Sequence, residues 1–191
     1  MKLNTEIGQR LINGLTNHSI KVENLPNLKK IIARGTQLGR IHYEKNPQGR
    51  SEIQCIKSSI SGEMLEAAGY LFIQEAGIEV FHNDETDSHE YYFDLLTHDA
   101  RIEVKPISCS YGISWKKETH ILNSINNYKD YEFMLLMTKK DKTIYTRWLL
   151  DNQVWNPNLY PPMFEDSHYQ GIFIKHGHAE SRGYVKKLYD F

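Results

Sequence analysis

The sequence predicts an α/β (α+β) chain, a central mixed β-sheet flanked by helices and preceded by a helical N-terminal segment. Three observations carry that expectation. Residues 59–77 combine a serine-rich start, apolar Leu65, Ala68, Leu71, Phe72 and Ala76 near helical spacing, and a stop at Gly77. Residues 78–107 read as strand, loop, strand, tight turn and strand. Further on, YEFMLLMT and TIYTRWLL flank the turn KKDK as another pair of strands.

Taken in order, residues 4–16 read as a helix. A second helix over 26–43 opens after Pro26, with Leu28, Ile31, Ile32 and Leu38 near helical spacing, although Gly35 and Gly39 weaken it. NPQGR at 46–50 is a turn, and the helix of 59–77 follows. IEVFH is a strand, HNDETDSHE a loop, YYFDLLT a strand, HD a turn and ARIEVKPI a strand, so the last two strands form a hairpin. SCSYGIS at 108–114 reads as a loop and residues 117–128 as a helix. GIFIKH is a terminal strand beyond the Pro/Asn-rich stretch at 156–162, and Trp148 and Trp155 belong at a core edge. The domain reading is a basic helical segment over 1–58 and a core over 59–191.

Composition removes several classes of function. No run approaches the ~18 apolar residues of a membrane span, and MKLNTEIGQR lacks the apolar centre of a signal peptide. Cys55 and Cys109 stand outside any C-x-x-C pattern, which argues against a disulfide scaffold or a zinc ribbon. The expectation is a cytoplasmic protein with no membrane partner. The net charge of −1 hides a division along the chain. Residues 1–60 hold ten Lys/Arg against four Asp/Glu, residues 61–103 one against eleven, and residues 104–191 twelve against nine. An acidic middle that attracts cations lies between basic flanks that can face phosphates.

The hairpin carries the chemistry. Side chains alternate along a strand, so Glu103 and Lys105 share a face, and a register that sets Asp94 beside Glu103 brings three charges to one place. Read alone, Glu103-Val104-Lys105 is an edge-strand salt bridge. The aspartate on the preceding strand and the acidic helix before it reverse that reading. Two neighbouring carboxylates repel unless a hard cation lies between them. Mg²⁺ takes about six oxygens at ~2.0–2.1 Å, and Asp94, Glu103, the Val104 carbonyl, water and a phosphate oxygen suit it. Lys105 can then orient the attacking water and stabilise charge on phosphorus.

Asp94 followed by Glu103-Val104-Lys105, after a helix that carries acids, resembles the P-D-(D/E)-x-K nuclease superfamily, with Phe93 where the family pattern has proline. The resemblance implies a further helix acid near the metal, and Glu66 fits it better than Glu63. From about residue 65 onward the order of elements is similar to that of the small PvuII-type type II restriction endonucleases. A loop with Gly112-Ile113-Ser114, a polar segment over 115–120 and a helix ending at Tyr128 follow the E-x-K there. The resemblance implies a restriction-endonuclease-like fold, Mg²⁺ with Mn²⁺ as a substitute, and a homodimer acting on double-stranded DNA. Residues 1–60 do not match in detail.

Recognition is read from charge and reach. Lys116 and Lys117 can contact phosphate or donate to guanine O6 and N7, and His120 and Asn123 can reach base edges. Lys29, Lys30, Arg34 and Arg40 suit phosphate contact that ignores sequence. The expected activity is sequence-specific double-strand cleavage of DNA. Two other readings stay open at this point: a structure-selective or phage-type nuclease of repair, recombination or replication, and a non-catalytic DNA-binding module on a nuclease-like scaffold.

Overall fold

The computed structural model describes residues 2–45, 47, 49–83, 93–107, 112–116, 129–156, 171–175 and 183–190, with only the backbone described for 112–116, 155 and 171–175. A 3₁₀ turn at Lys2–Asn4 leads into helix α1, Glu6–Leu15, which Thr5 caps by accepting the Gly8 amide at 3.2 Å. Strand β1, Ser19–Lys21, was not expected from the sequence, since three residues are too few for a periodicity to register. Helix α2 runs Leu28–Lys45 and helix α3 runs Glu52–Glu75. The predicted start of α3 at Ser59 is corrected to Glu52, because Ser51 and Gln54 form a reciprocal capping box (2.8 and 3.3 Å) that nucleates the helix earlier. Residues 52–58, which the sequence reading gave to the N-terminal segment, are thus continuous with the helix that carries Glu66.

Gly35 and Gly39, which weaken the helix prediction, are where α2 meets α3. A Cβ built on Gly35 lies 2.6 Å from the Ile60 Cα, and one on Gly39 lies 2.4 Å from the Ile56 Cα. Propensity is surrendered for a close backbone approach. Gly39→Ala is therefore expected to force the two helices apart and to destabilise the protein by about 1–3 kcal/mol, in spite of alanine's better helix propensity. Chemical denaturation checks this; a more stable variant would mean that the crossing relaxes freely.

Seven of the described strands form one mixed sheet, ordered β1-β7-β6-β4-β3-β2, with β9 also paired to β7. The strands are β2 (Val80–His82), β3 (Leu95–Thr97), β4 (Arg101–Pro106), β6 (Phe133–Lys140), β7 (Thr143–Asp151) and β9 (Val185–Lys187), besides β1. β2, β3 and β4 are an antiparallel meander, β4 and β6 are parallel, and β6 and β7 are antiparallel. The β6–β7 turn places Asp141 and Lys142 at φ 49° and 61°, the left-handed pair that a two-residue hairpin needs. Seated at the middle of the sheet, β6 is covered on both faces, which is why FMLLM is an unbroken apolar run. Leu135, Met137 and Leu149 pack with Ala68, Phe72 and Ile73 of α3 on one face. Met134, Leu136, Trp148 and Leu150 pack with Phe93, Tyr131 and Val154 on the other.

Two expectations change at the periphery. The loop read at 108–114 is in part strand β5, Gly112–Lys116, which pairs antiparallel with β8, Gly171–Lys175, in a separate two-stranded sheet. β8 therefore does not extend the main sheet. The helix read at 117–128 lies outside the described residues.

Candidate functional site

The β3–β4 hairpin turns at His98–Asp99, and Leu95 pairs with Ile102. The Asp94 amide also donates to the Ile102 carbonyl, at 3.1 Å. Two consecutive residues of one strand thus face one residue of the other, the arrangement of a β-bulge, which bends the strand and re-aims the side chain at the bend. The re-aimed Asp94 carboxylate accepts the Val104 amide at 2.6 Å (Oδ2), taking the place of a backbone acceptor. A strand residue's carbonyl leaves on the same edge as its amide, so the Val104 carbonyl also points to the Asp94 side.

Along β4 the pleat separates two sets of side chains. Ile102 and Val104 join the core against α3. Glu103 and Lys105 project from the opposite face, beside Met134 and Leu136, their register partners on β6. Only 1% of Glu103 is exposed. The Lys105 ammonium lies in contact with Glu103 Oε1 and 3.9 Å from Asp94 Oδ2. Asp94, Glu103 and Lys105 therefore meet, as the sequence required for a site.

Glu66 approaches from α3 and is half-buried. Burial first, then the charges of Asp94 and Glu63, push its carboxyl well above the usual carboxylate range, with Lys105 opposing. Glu103 is pushed up to about 8, by burial first and then by the charge of Asp94, while Lys105 pulls the other way; a hydrogen bond with the Asp94 carboxyl adds to the rise. Among the described residues a single ammonium thus faces several carboxyl groups in a poorly solvated place, and a proton makes up the deficit.

That electrostatic deficit and the donor chemistry together test whether a hard divalent cation fits. Two carboxylates and a carbonyl are hard oxygen donors, and a doubly charged ion would relieve the repulsion that now holds the proton. Among the described residues no three His, Cys, Asp or Glu side chains form a group that could enclose an ion. Mg²⁺ rarely demands such a cage, since it keeps several waters and binds through one or two carboxylates plus substrate phosphate. The residues present fit Mg²⁺ or Mn²⁺.

The linkage gives a pH prediction. Glu103 holds its proton to about pH 8 when folded, whereas its ordinary value is 4.5, so between these values the folded chain binds more protons than the unfolded one. Stability from this group is therefore fullest below pH ~4.5 and declines as pH rises toward ~8. In EDTA the thermal midpoint is expected to fall across that window. Glu103→Gln, which keeps the shape without the ionisation, is expected to flatten the fall. An equally steep profile in Glu103→Gln would place the titration elsewhere.

The basic residues divide. Lys29 and Lys30 are exposed in the first turn of α2. Arg34 instead pairs with Glu63 of α3 at 3.0 Å, where the Glu63 side chain is only 11% exposed, and Arg40 pairs with Glu52 at 3.5 Å. Taking the guanidinium from a nearly buried carboxylate is costly, so Arg34 serves the α2–α3 contact before any phosphate. Glu63, the weaker of the two helix acids considered, is thereby accounted for by Arg34. The Lys116 backbone lies in β5, while Lys117, His120 and Asn123 lie outside the described residues.

Sequence reasoning missed Asn83. Its amide donates to the Asp94 carbonyl and its Nδ2 to the Phe93 carbonyl, both at 2.9 Å. An asparagine at the start of a run of polar residues gives no signal of this kind. No family model, curated protein or solved structure matches the chain significantly.

Proposed function

We propose that the protein is a Mg²⁺-dependent endonuclease of double-stranded DNA, with a restriction-endonuclease-like core. The observation that supports it most is the meeting of Asp94, Glu103 and Lys105 at a β-bulge, with Glu103 buried and its carboxyl raised to about 8. A buried acid cluster of this sort costs stability, and perturbed acids concentrate where chemistry is done. The order α3, three-stranded meander, crossover and parallel β6 is compatible with the proposed core.

Asp94, Glu103 and the Val104 carbonyl would hold Mg²⁺, or Mn²⁺ in its place. When bound, the ion supplies Lewis acidity toward phosphoryl oxygens and a lowered pKa for water. Lys105 orients the attacking water and stabilises the negative charge building on the phosphoryl oxygens. Glu66 accepts from, or donates to, water beside the carboxylates according to its protonation. Water attacks phosphorus in line, and the ester bond breaks to leave a 5′-phosphate and a 3′-hydroxyl. Cutting both strands calls for two such sites, so the working unit is a homodimer, which sedimentation with and without DNA tests.

Lys29 and Lys30 add positive charge to the positive end of the α2 dipole, an arrangement that attracts an anion such as a phosphate. Replacing both with glutamine is expected to weaken binding to every duplex alike and to reduce the log–log salt slope by about 0.9 for each phosphate no longer neutralised. Changes at Lys117 or His120 are expected instead to reduce discrimination between a preferred site and single-base variants, by about 1–3 kcal/mol for a good base contact. Salt titrations in Ca²⁺ on preferred and scrambled duplexes separate the two; equal weakening on both makes residues 115–123 another phosphate patch.

The decisive experiment incubates the purified protein with plasmid, branched and nicked DNA, in Mg²⁺ and in EDTA. Discrete plasmid bands support sequence-specific cleavage, while cutting confined to branched or nicked DNA supports a structure-selective nuclease. Binding without cutting in Mg²⁺ or Mn²⁺ overturns the proposal in favour of a DNA-binding module.

A further inference from the structure

Asn83 directly follows β2, one residue past His82, which pairs with Leu95 on β3. From that position it makes two hydrogen bonds that bracket the bend. Its amide satisfies the Asp94 carbonyl at 2.9 Å, and its Nδ2 satisfies the carbonyl of the preceding residue, Phe93, also at 2.9 Å. The backbone bond continues the β2–β3 register by one rung, from His82–Leu95 to Asn83–Asp94, and the side chain carries the pairing one carbonyl further, to Phe93. One residue supplies both donors, because an asparagine side chain extends in the same register as a short piece of backbone. The two carbonyls flank the Asp94 amide, which is itself held by Ile102, and the Asp94 carboxylate reaches the Val104 amide at 2.6 Å.

We infer that Asn83 is a positioning residue that fixes the bulge and so aims the Asp94 carboxylate at the Val104 edge. As a claim about metal binding this rests on the proposed nuclease site; as a claim about the bulge it does not. Removing the side chain deletes the Nδ2 bond to Phe93, while the backbone amide of residue 83 keeps its bond to the Asp94 carbonyl. The loss falls on the Phe93 carbonyl, and loosening that side of a peptide whose N–H stays on the Ile102 carbonyl lets Asp94 shift about the bend. The fold outside the bend is held by other contacts, among them the pairing of β3 with β4.

The test compares wild type, Asn83→Ala and Asn83→Asp by two readouts. The aspartate variant keeps the size while setting an acceptor against the Phe93 carbonyl, so it guards against effects of lost packing. In metal-free protein the Val104 amide, which donates to Asp94, is expected to exchange with solvent roughly 3- to 10-fold faster in both variants, as for loss of one ordinary hydrogen bond. The amides of Leu135 and Leu149 in the middle of the sheet are expected to stay as in wild type. Mn²⁺ affinity, measured by calorimetry without DNA, is expected to fall by about 10–100-fold, as for loss of a residue that orients a ligand. Unchanged Val104 exchange in both variants overturns the inference. Wild type that binds no Mn²⁺ overturns the metal reading instead, and leaves the Val104 arm to decide the role of Asn83.

Discussion

Asp94→Ala and Glu103→Ala are each expected to reduce Mg²⁺-dependent DNA cleavage to background while the protein stays folded and, in Ca²⁺, still binds DNA. Each substitution removes one of the two carboxylates that would hold the ion. The two variants differ in how they should affect the metal-free protein. Loss of Asp94 strands the Val104 amide, which now donates to it at 2.6 Å, and a buried donor left without an acceptor costs about 1–3 kcal/mol. Loss of Glu103 removes an acid whose ionisation the fold opposes, which offsets part of the cavity it leaves. Single-turnover cleavage and denaturation, measured on the same preparations, check both halves. Retained turnover in both variants defeats the assignment.

Lys105→Ala is expected to slow cleavage by about 10²–10³-fold, the usual consequence of losing one preorganised group at a developing oxyanion, or about 2.7–4 kcal/mol. Lys105→Arg is expected to rescue poorly. A planar fork cannot put a compact charge where the ammonium sits, in contact with Glu103 and 3.9 Å from Asp94. If Lys105→Ala cuts at the wild-type rate, Lys105 is only the counter-ion of Glu103 and the cluster is a structural ion pair.

What could be read from the sequence follows from how local each signal is. The HD turn, the strands of the hairpin and the side-chain alternation that joins Glu103 to Lys105 are written in adjacent residues, and they were legible. The preference for Glu66 over Glu63 came only with the family resemblance; the physical reason, an Arg34 that engages Glu63, depends on a helix packing that no periodicity encodes. Gly35 and Gly39 weakened the expectation of a helix that α2 bears out, for the same reason: propensity counts their cost, and only the Ile56 and Ile60 backbones reveal the gain. The start of α3 was legible in principle as the pair Ser51 and Gln54, but the serine-rich run at 58–61 drew the boundary later. β1 and β9, three residues each, are strands because β7 offers them an edge. The β-bulge at Asp94 depends on a one-residue mismatch between two strands, and composition carries no trace of it.

The outer edge of β7 is shared between two distant pieces of chain, with β1 against Thr143–Tyr145 and β9 against Trp148–Leu150. During synthesis these halves have different histories. Residues 19–21 already wait when β7 emerges, so its first half can be covered at once. The second half stays uncovered until residues 185–187 have been made, a few seconds later at about 5–20 residues per second. For that interval the nascent chain presents an open, largely apolar strand edge, the feature most apt to pair with a neighbouring chain. Crowded polysomes and high expression temperature, more than the finished protein's stability, would then set how much of it is recovered in soluble form.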